Sequence, residues 1–190
     1  GVANLFLINP NGIIFGPNAR LNIGGSFLAS TANSIKFGNG IEFSASNPNP
    51  SSLLTISIPV GLQYTSQTPG PIAVQGSNLE VKTGNTLALV GGDVTISGNN
   101  NLQTAELVAG GIPILTTAEN SIPTTAGGRI ELGSVTGGDV TLTPTDRGFA
   151  LDYSATKNFG DIQLTSGATL DTSGTSGGEI QVQARQFQLS

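Results

Sequence analysis

The chain contains no cysteine, methionine, tryptophan or histidine. Without cysteine there is no disulfide, no zinc–thiolate site and no thiol nucleophile. Without histidine the usual general base near neutral pH is missing. Charge is scarce too, at 10% of 190 residues, so the polar surface must come from Ser, Thr, Asn, Gln and Gly. The seven basic residues (Arg20, Lys36, Lys82, Arg129, Arg147, Lys157, Arg185) are scattered, against a net charge of −5. That leaves no electrostatic footprint for nucleic acid and no basic amphipathic face for a membrane surface. No apolar run approaches the ~20 residues that span a bilayer as a helix. No signal peptide is present, and Gly1 is not a natural start, so the chain reads as cut from a longer one.

What is abundant is turn-forming and strand-forming. There are 27 Gly and 10 Pro, and helix-favouring runs of Ala, Leu, Lys and Glu are lacking. One short pattern recurs: Gly, polar, aliphatic, polar, aliphatic. It stands at Gly92–Ile96, Gly128–Leu132, Gly138–Leu142, Gly160–Leu164 and Gly178–Val182. Strict period-2 alternation marks strands with one buried face. Looser copies are Arg20–Ile23, Asn78–Val81 and Gln186–Leu189. Steps near 20 residues suggest a β-solenoid, with short strands joined by tight corners. The short step from Gly128 to Gly138 fits two faces of one coil or a hairpin. An antiparallel sandwich would show the same alternation. A chain of this length can bury roughly 70% of its unfolded surface in either arrangement.

Near the N-terminus two turn-like tetrads, Asn9-Pro10-Asn11-Gly12 and Gly16-Pro17-Asn18-Ala19, bracket Ile13-Ile14-Phe15. Closely spaced turns are what a coil with short sides requires. Pro presets φ at the second turn position, Asn bonds its own turn, and Gly takes positive φ. Three stretches break the repeat. Residues 45–76 hold half the prolines, residues 112–127 are Thr-rich with Pro113 and Pro123, and residues 144–159 hold Asp146, Arg147, Asp152 and Lys157. All three read as loop or hairpin excursions from a single 1–190 domain.

The segment "NLFLINPNGIIFGPNARLNIGGSFLASTANSI" resembles the haemagglutination-activity, or two-partner-secretion, domain of filamentous-haemagglutinin-like exoproteins. "GGSFLAST" and "FSASNP" extend the match, and "LALVGGDVTI" and "GGRIELGSV" resemble the cyanobacterial branch. The resemblance implies an all-β, right-handed parallel β-helix. It also implies a secretion motif at Asn9, Pro10, Asn11, Gly12 and Ile13. Such a domain leads a large exported adhesin, cytolysin or contact-dependent toxin to the exterior or cell surface through the periplasm. Its implied partners are an outer-membrane β-barrel transporter with periplasmic recognition modules and a downstream repetitive passenger in the same chain. The passenger's extracellular folding would start from this domain. Family members carry a cap segment before the signature, and only eight residues precede Asn9 here. Uncovered strand edges invite edge-to-edge self-association.

An enzymatic or polysaccharide-binding β-helix is the competing expectation. Cleavage would need paired carboxylates at a set separation. Asp139, Asp161 and Glu179 hold equivalent repeat positions, and Asp93 joins them if register allows. Adjacent strands lie ~4.8 Å apart, close enough for such carboxylates to meet. Solvated strand-start residues are the simpler interpretation. The charged stretch Asp146, Arg147, Asp152, Lys157 is a weaker candidate. The Gly-Gly-Asp steps at 91–93 and 137–139 lack the continuation of a calcium-binding repeat. The eight Phe and two Tyr fall mostly on strand positions and read as core or coil-end plugs. No catalytic residue, cofactor or metal is expected.

Overall fold

A computed structural model describes residues 3–47, 57–98, 105–110, 127–146, 148–174 and 176–190. Among these residues the fold is all-β, with no helix. Three parallel ladders form its frame. The first stacks β1 (Leu5–Ile8), β3 (Phe27–Ser30), β9 (Thr86–Gly91), the opening residues of β12 (Arg129–Thr145) and β17 (Glu179–Gln183). The second stacks β2 (Ile13–Phe15), β7 (Ile72–Gln75), β10 (Val94–Ser97), β15 (Asp161–Thr165) and β18 (Gln186–Leu189). The third holds β8 (Asn78–Val81), β11 (Glu106–Ala109) and β16 (Thr169–Asp171). Successive passes of the chain visit the ladders in the same cyclic order.

Register explains why the alternating repeat is spread along the chain. Leu5, Phe27, Leu87, Ile130 and Ile180 are consecutive partners in the first ladder. Ile13, Ile72, Val94, Ile162 and Phe187 form the matching column in the second. Leu79, Leu107 and Leu170 do so in the third. The middle members of these columns make one continuous apolar core, fully shielded at Leu87, Val94, Leu107 and Ile130. A one-residue slip would turn a whole strand's apolar set outward, so each column fixes its register.

The 10-stranded sheet that contains the first ladder is mixed rather than purely parallel. Its antiparallel part is built from β5 (Glu42–Ser44), β4 (Ser34–Phe37), β6 (Pro59–Tyr64) and the second half of β12. β13 (Gly148–Asp152) and β14 (Thr156–Phe159) are also paired to β12. It packs on the outward face of the first ladder. Leu28, Ala88 and Val90 from the ladder meet Ile35, Leu62, Tyr64, Val140, Leu142, Phe149, Leu151 and Tyr153 in a second core.

The step from Gly128 to Gly138 is neither two faces of one coil nor a hairpin. It is one strand, β12, passing from the parallel ladder into the antiparallel part. The passage is made at register shifts between Val135, Gly137 and Gly138. Bulges bend a strand and raise its twist, which lets one strand serve both arrangements. Residues 45–76 hold β6 of the antiparallel part and β7 of the second ladder, with 48–56 outside the described residues. Residues 144–159 hold the end of β12 with β13 and β14. Of residues 112–127, all but Gly127 lie outside the described residues.

Candidate functional site

The segment Asn9–Ile13 forms the corner between β1 and β2. The Asn9 N–H still belongs to the first ladder, donating to the Ser30 carbonyl at 3.0 Å. The chain then reverses. The Gly12 N–H donates to the Asn9 carbonyl at 3.1 Å, and the Asn11 N–H donates to Asn9 Oδ1, also at 3.1 Å. The asparagine side chain thus caps its own turn, as an Asx turn does. Pro10 has no N–H to leave unpaired at this exposed bend. Gly12 adopts φ +119°, which a side chain would strain.

Two further bonds tie the corner to the next pass of the chain. The Pro10 carbonyl accepts the Gly70 N–H at 3.0 Å, and the Ile13 N–H donates to the Pro71 carbonyl at 3.0 Å. Beyond the corner the alternation resumes. Ile13 and Phe15 point into the core, with Phe15 edge-on to Phe27, whereas Ile14 is 72% exposed. Asn9 and Asn11 are exposed as well. The corner therefore displays two uncharged amides and one aliphatic side chain, and none of the residues 9–14 titrates near neutral pH.

The tetrad Gly16–Ala19 is built differently. The Ala19 N–H closes it on the Gly16 carbonyl at 2.8 Å, and the side chain that binds its backbone is Arg20, through the Pro17 and Ala19 carbonyls. Residues 69–71 and Ile14 were absent from the sequence-based site. A signal for the former exists. Pro69-Gly70-Pro71 precedes Ile72-Ala73-Val74 just as Asn9–Gly12 precedes Ile13-Ile14-Phe15.

The carboxylates of the repeat are not brought together as a set. Asp139 lies in the antiparallel part, where Lys36 pairs with it at 3.0 Å. Glu179 lies in the first ladder, paired with Arg129. Only Asp93 and Asp161 are neighbours, on adjacent strands of the second ladder, and there Asp93 Oδ1 accepts the Asp161 N–H at 3.0 Å. Arg185 grips Asp161 through two nitrogens, and its hydrogen bonds hold that carboxyl below the usual carboxylate range. In the charged stretch, Asp152 accepts from the Ser154 backbone and hydroxyl, and these bonds hold its pKa low. Asp146 lines a separate recess with Arg129, Thr145 and Glu179, and Arg147 lies outside the described residues. Among the described residues no cluster of carboxylates suited to a metal occurs.

One buried charge stands apart. Glu131, on the outward face of β12, is fully buried. Its Oε1 accepts from Arg129 Nε and from the Leu151 N–H, while Oε2 has no partner. Burial pushes this carboxyl above its ordinary value, against the opposing pull of Arg129. Its bonds clamp the antiparallel part to the ladder.

Residues 1–182 match the family profile of the TPS secretion domain. The chain belongs to the TPS secretion domain family. Neither a curated protein nor a solved structure matches it. The TPS secretion domain is the two-partner-secretion module of filamentous-haemagglutinin-type secreted adhesins and not an enzyme family. Membership implies an outer-membrane β-barrel transporter as partner, and secretion to the cell surface or the extracellular space.

Proposed function

We propose that this TPS secretion domain is the recognition module of a larger adhesin-type exoprotein, and that Asn9–Ile13 is the segment that acts in export. The domain arrives through the periplasm, meets periplasmic modules of the barrel transporter, crosses the outer membrane and folds outside. There it starts the folding of the passenger that follows in the same chain. No catalysis and no cofactor enters this role. The three ladders, visited in a fixed cyclic order, are the sides of a right-handed parallel β-helix in this reading, and the strands at its two ends supply the edges onto which further strands add.

The observation that carries the proposal is the exposed, uncharged corner. The corner presents Asn11 and the 72% exposed Ile14 on the surface, where a partner can reach them. Loss of the Asn9 side-chain bond costs on the order of 1 kcal/mol, which the stacked core tolerates. Asn9→Ala in the full exoprotein is therefore expected to leave the domain folded and to lower export sharply. Asn18→Ala, in the neighbouring turn, is expected to lower export far less. The measurement is secreted against periplasmic protein, with thermal melts of both purified variants. Equal export defects, or a defect that merely tracks lost stability, would reduce Asn9–Gly12 to an ordinary corner.

A further inference from the structure

The corner Asn9–Gly12 is not closed by its own residues alone. Gly70 donates to Pro10, Pro71 accepts from Ile13, and the Gly70 carbonyl in turn accepts the Gly92 N–H at 3.0 Å. Three successive corners thus stack through main-chain atoms. The stacking leaves no space for a side chain at Gly70. A Cβ there would fall well inside 3.0 Å of the Asn11 carbonyl carbon and the Gly12 nitrogen. Both are backbone atoms of the peptide that follows the Asn9 cap, so neither can swing aside.

We infer that Gly70 is a positioning residue of the secretion corner. The unit acting in export is the closed, two-segment corner of residues 9–14 and 69–71, not the linear motif. This rests on the proposed role of Asn9–Ile13 in export. Without the second segment, Pro10 and Ile13 lose their backbone partners, and the amides of Asn9 and Asn11 are no longer held beside Ile14. The surface so formed fits a partner that offers hydrogen-bonding groups to the two amides beside an apolar recess for Ile14.

The test uses the full exoprotein expressed with its transporter. Three variants are compared: Gly70→Ala, Asn9→Ala and Gly178→Ala. Gly178 is the control for crowding, since a Cβ there also falls well inside 3.0 Å of backbone, at the Gly128 carbonyl of a different corner. The readouts are the ratio of secreted to cell-associated protein and the amide exchange of the purified chain at Ile13 and Leu107. Gly70→Ala and Asn9→Ala are each expected to lower export several-fold, and Gly70→Ala to speed exchange at Ile13 but not at Leu107. Gly178→Ala is expected to leave export near that of the parent. If Gly70→Ala opens Leu107 too, Pro71→Gly loosens the same corner without an added atom and is judged by the same outcomes. Unchanged export with Gly70→Ala beside a failing Asn9→Ala would overturn the inference in favour of a linear motif, leaving the proposed function standing. Equal defects in Gly70→Ala and Gly178→Ala would overturn it in favour of general destabilisation. Normal export of Asn9→Ala would count against the proposed function itself.

Discussion

Glu131 and Arg129 sit two residues apart on the same face of β12, and the carboxylate is fully buried while the guanidinium reaches on to Glu179 and Gln181 of the next strand. The pair joins three parts of the fold, because Glu131 also accepts from Leu151 in the antiparallel part. A buried pair is strained by desolvation even when its geometry is good. Here one carboxylate oxygen has no partner, so the charged form is held at a cost.

The first prediction follows from the sign of that cost. Burial raises the Glu131 pKa in the folded state above its ordinary value of 4.5, so folding favours the protonated form. The group's contribution to stability is fully present below about pH 4.5 and is lost as pH rises through the folded pKa. The groups facing it are Arg129 on its own strand, Tyr153 from the antiparallel part and Gln181 from β17. Glu131→Gln keeps the acceptor for Leu151 and removes the titration. It is expected to melt within ~1 kcal/mol of the parent at pH 7.5 and to lose the parent's gain on mild acidification. Glu131→Ala strands Leu151 and is expected to cost about 3–5 kcal/mol. Chemical denaturation across pH 4–8 decides, and an unchanged pH profile in Glu131→Gln would remove Glu131 from this account.

A second prediction concerns the ends of the stack. Among the described residues β1 and β18 each pair on one side only, and their core-facing residues are uncovered: Leu5 is 45% and Leu7 40% exposed at one end, Phe187 43% and Leu189 67% at the other. Open, apolar strand edges template pairing with another chain. Expressed as these 190 residues, the protein is expected to self-associate in a concentration-dependent way. A charge placed on either edge, by Leu7→Lys or Leu189→Lys, is expected to shift it toward monomer. Sedimentation velocity reads both, and a monomer at every concentration would set edge pairing aside.

The strands of the repeat were legible because their signal is local, whereas the direction of their pairing was not. Each copy of the Gly-polar-aliphatic-polar-aliphatic pattern carries its own alternation, and each became a strand: β10, β15 and β17 in the ladders, with both halves of β12. The second core was hidden for a related reason. Leu87-Ala88-Leu89-Val90 is a continuous apolar run, the mark of a strand buried on both faces, yet what covers its outer face is an antiparallel part drawn from residues far away in sequence. The place of Pro69-Gly70-Pro71 before an apolar triplet was a signal for a second corner, but its pairing with Asn9–Ile13 was not legible. That pairing shows only once the Pro10 carbonyl and the Ile13 amide are seen to need residues 70 and 71.

The last prediction separates display from packing within two adjacent residues. Ile13 is buried in the core column with Ile72, while Ile14 stands 72% exposed beside Ala73 on the outer face of the second ladder. Ile13→Ser places a hydroxyl and a void in the core and is expected to cost about 2–5 kcal/mol, as other large-to-small core changes do. Its export should fall with its stability. Ile14→Ser removes only a solvated side chain and is expected to stay within about 0.5 kcal/mol of the parent. If the corner is the surface that acts in export, Ile14→Ser lowers secretion several-fold at unchanged melting temperature, and Ile14→Val restores most of it. The secreted fraction measured beside thermal melts makes the comparison. Full secretion of Ile14→Ser would confine the active surface to the two asparagines and leave Ile14 as an incidental outward position of an edge strand.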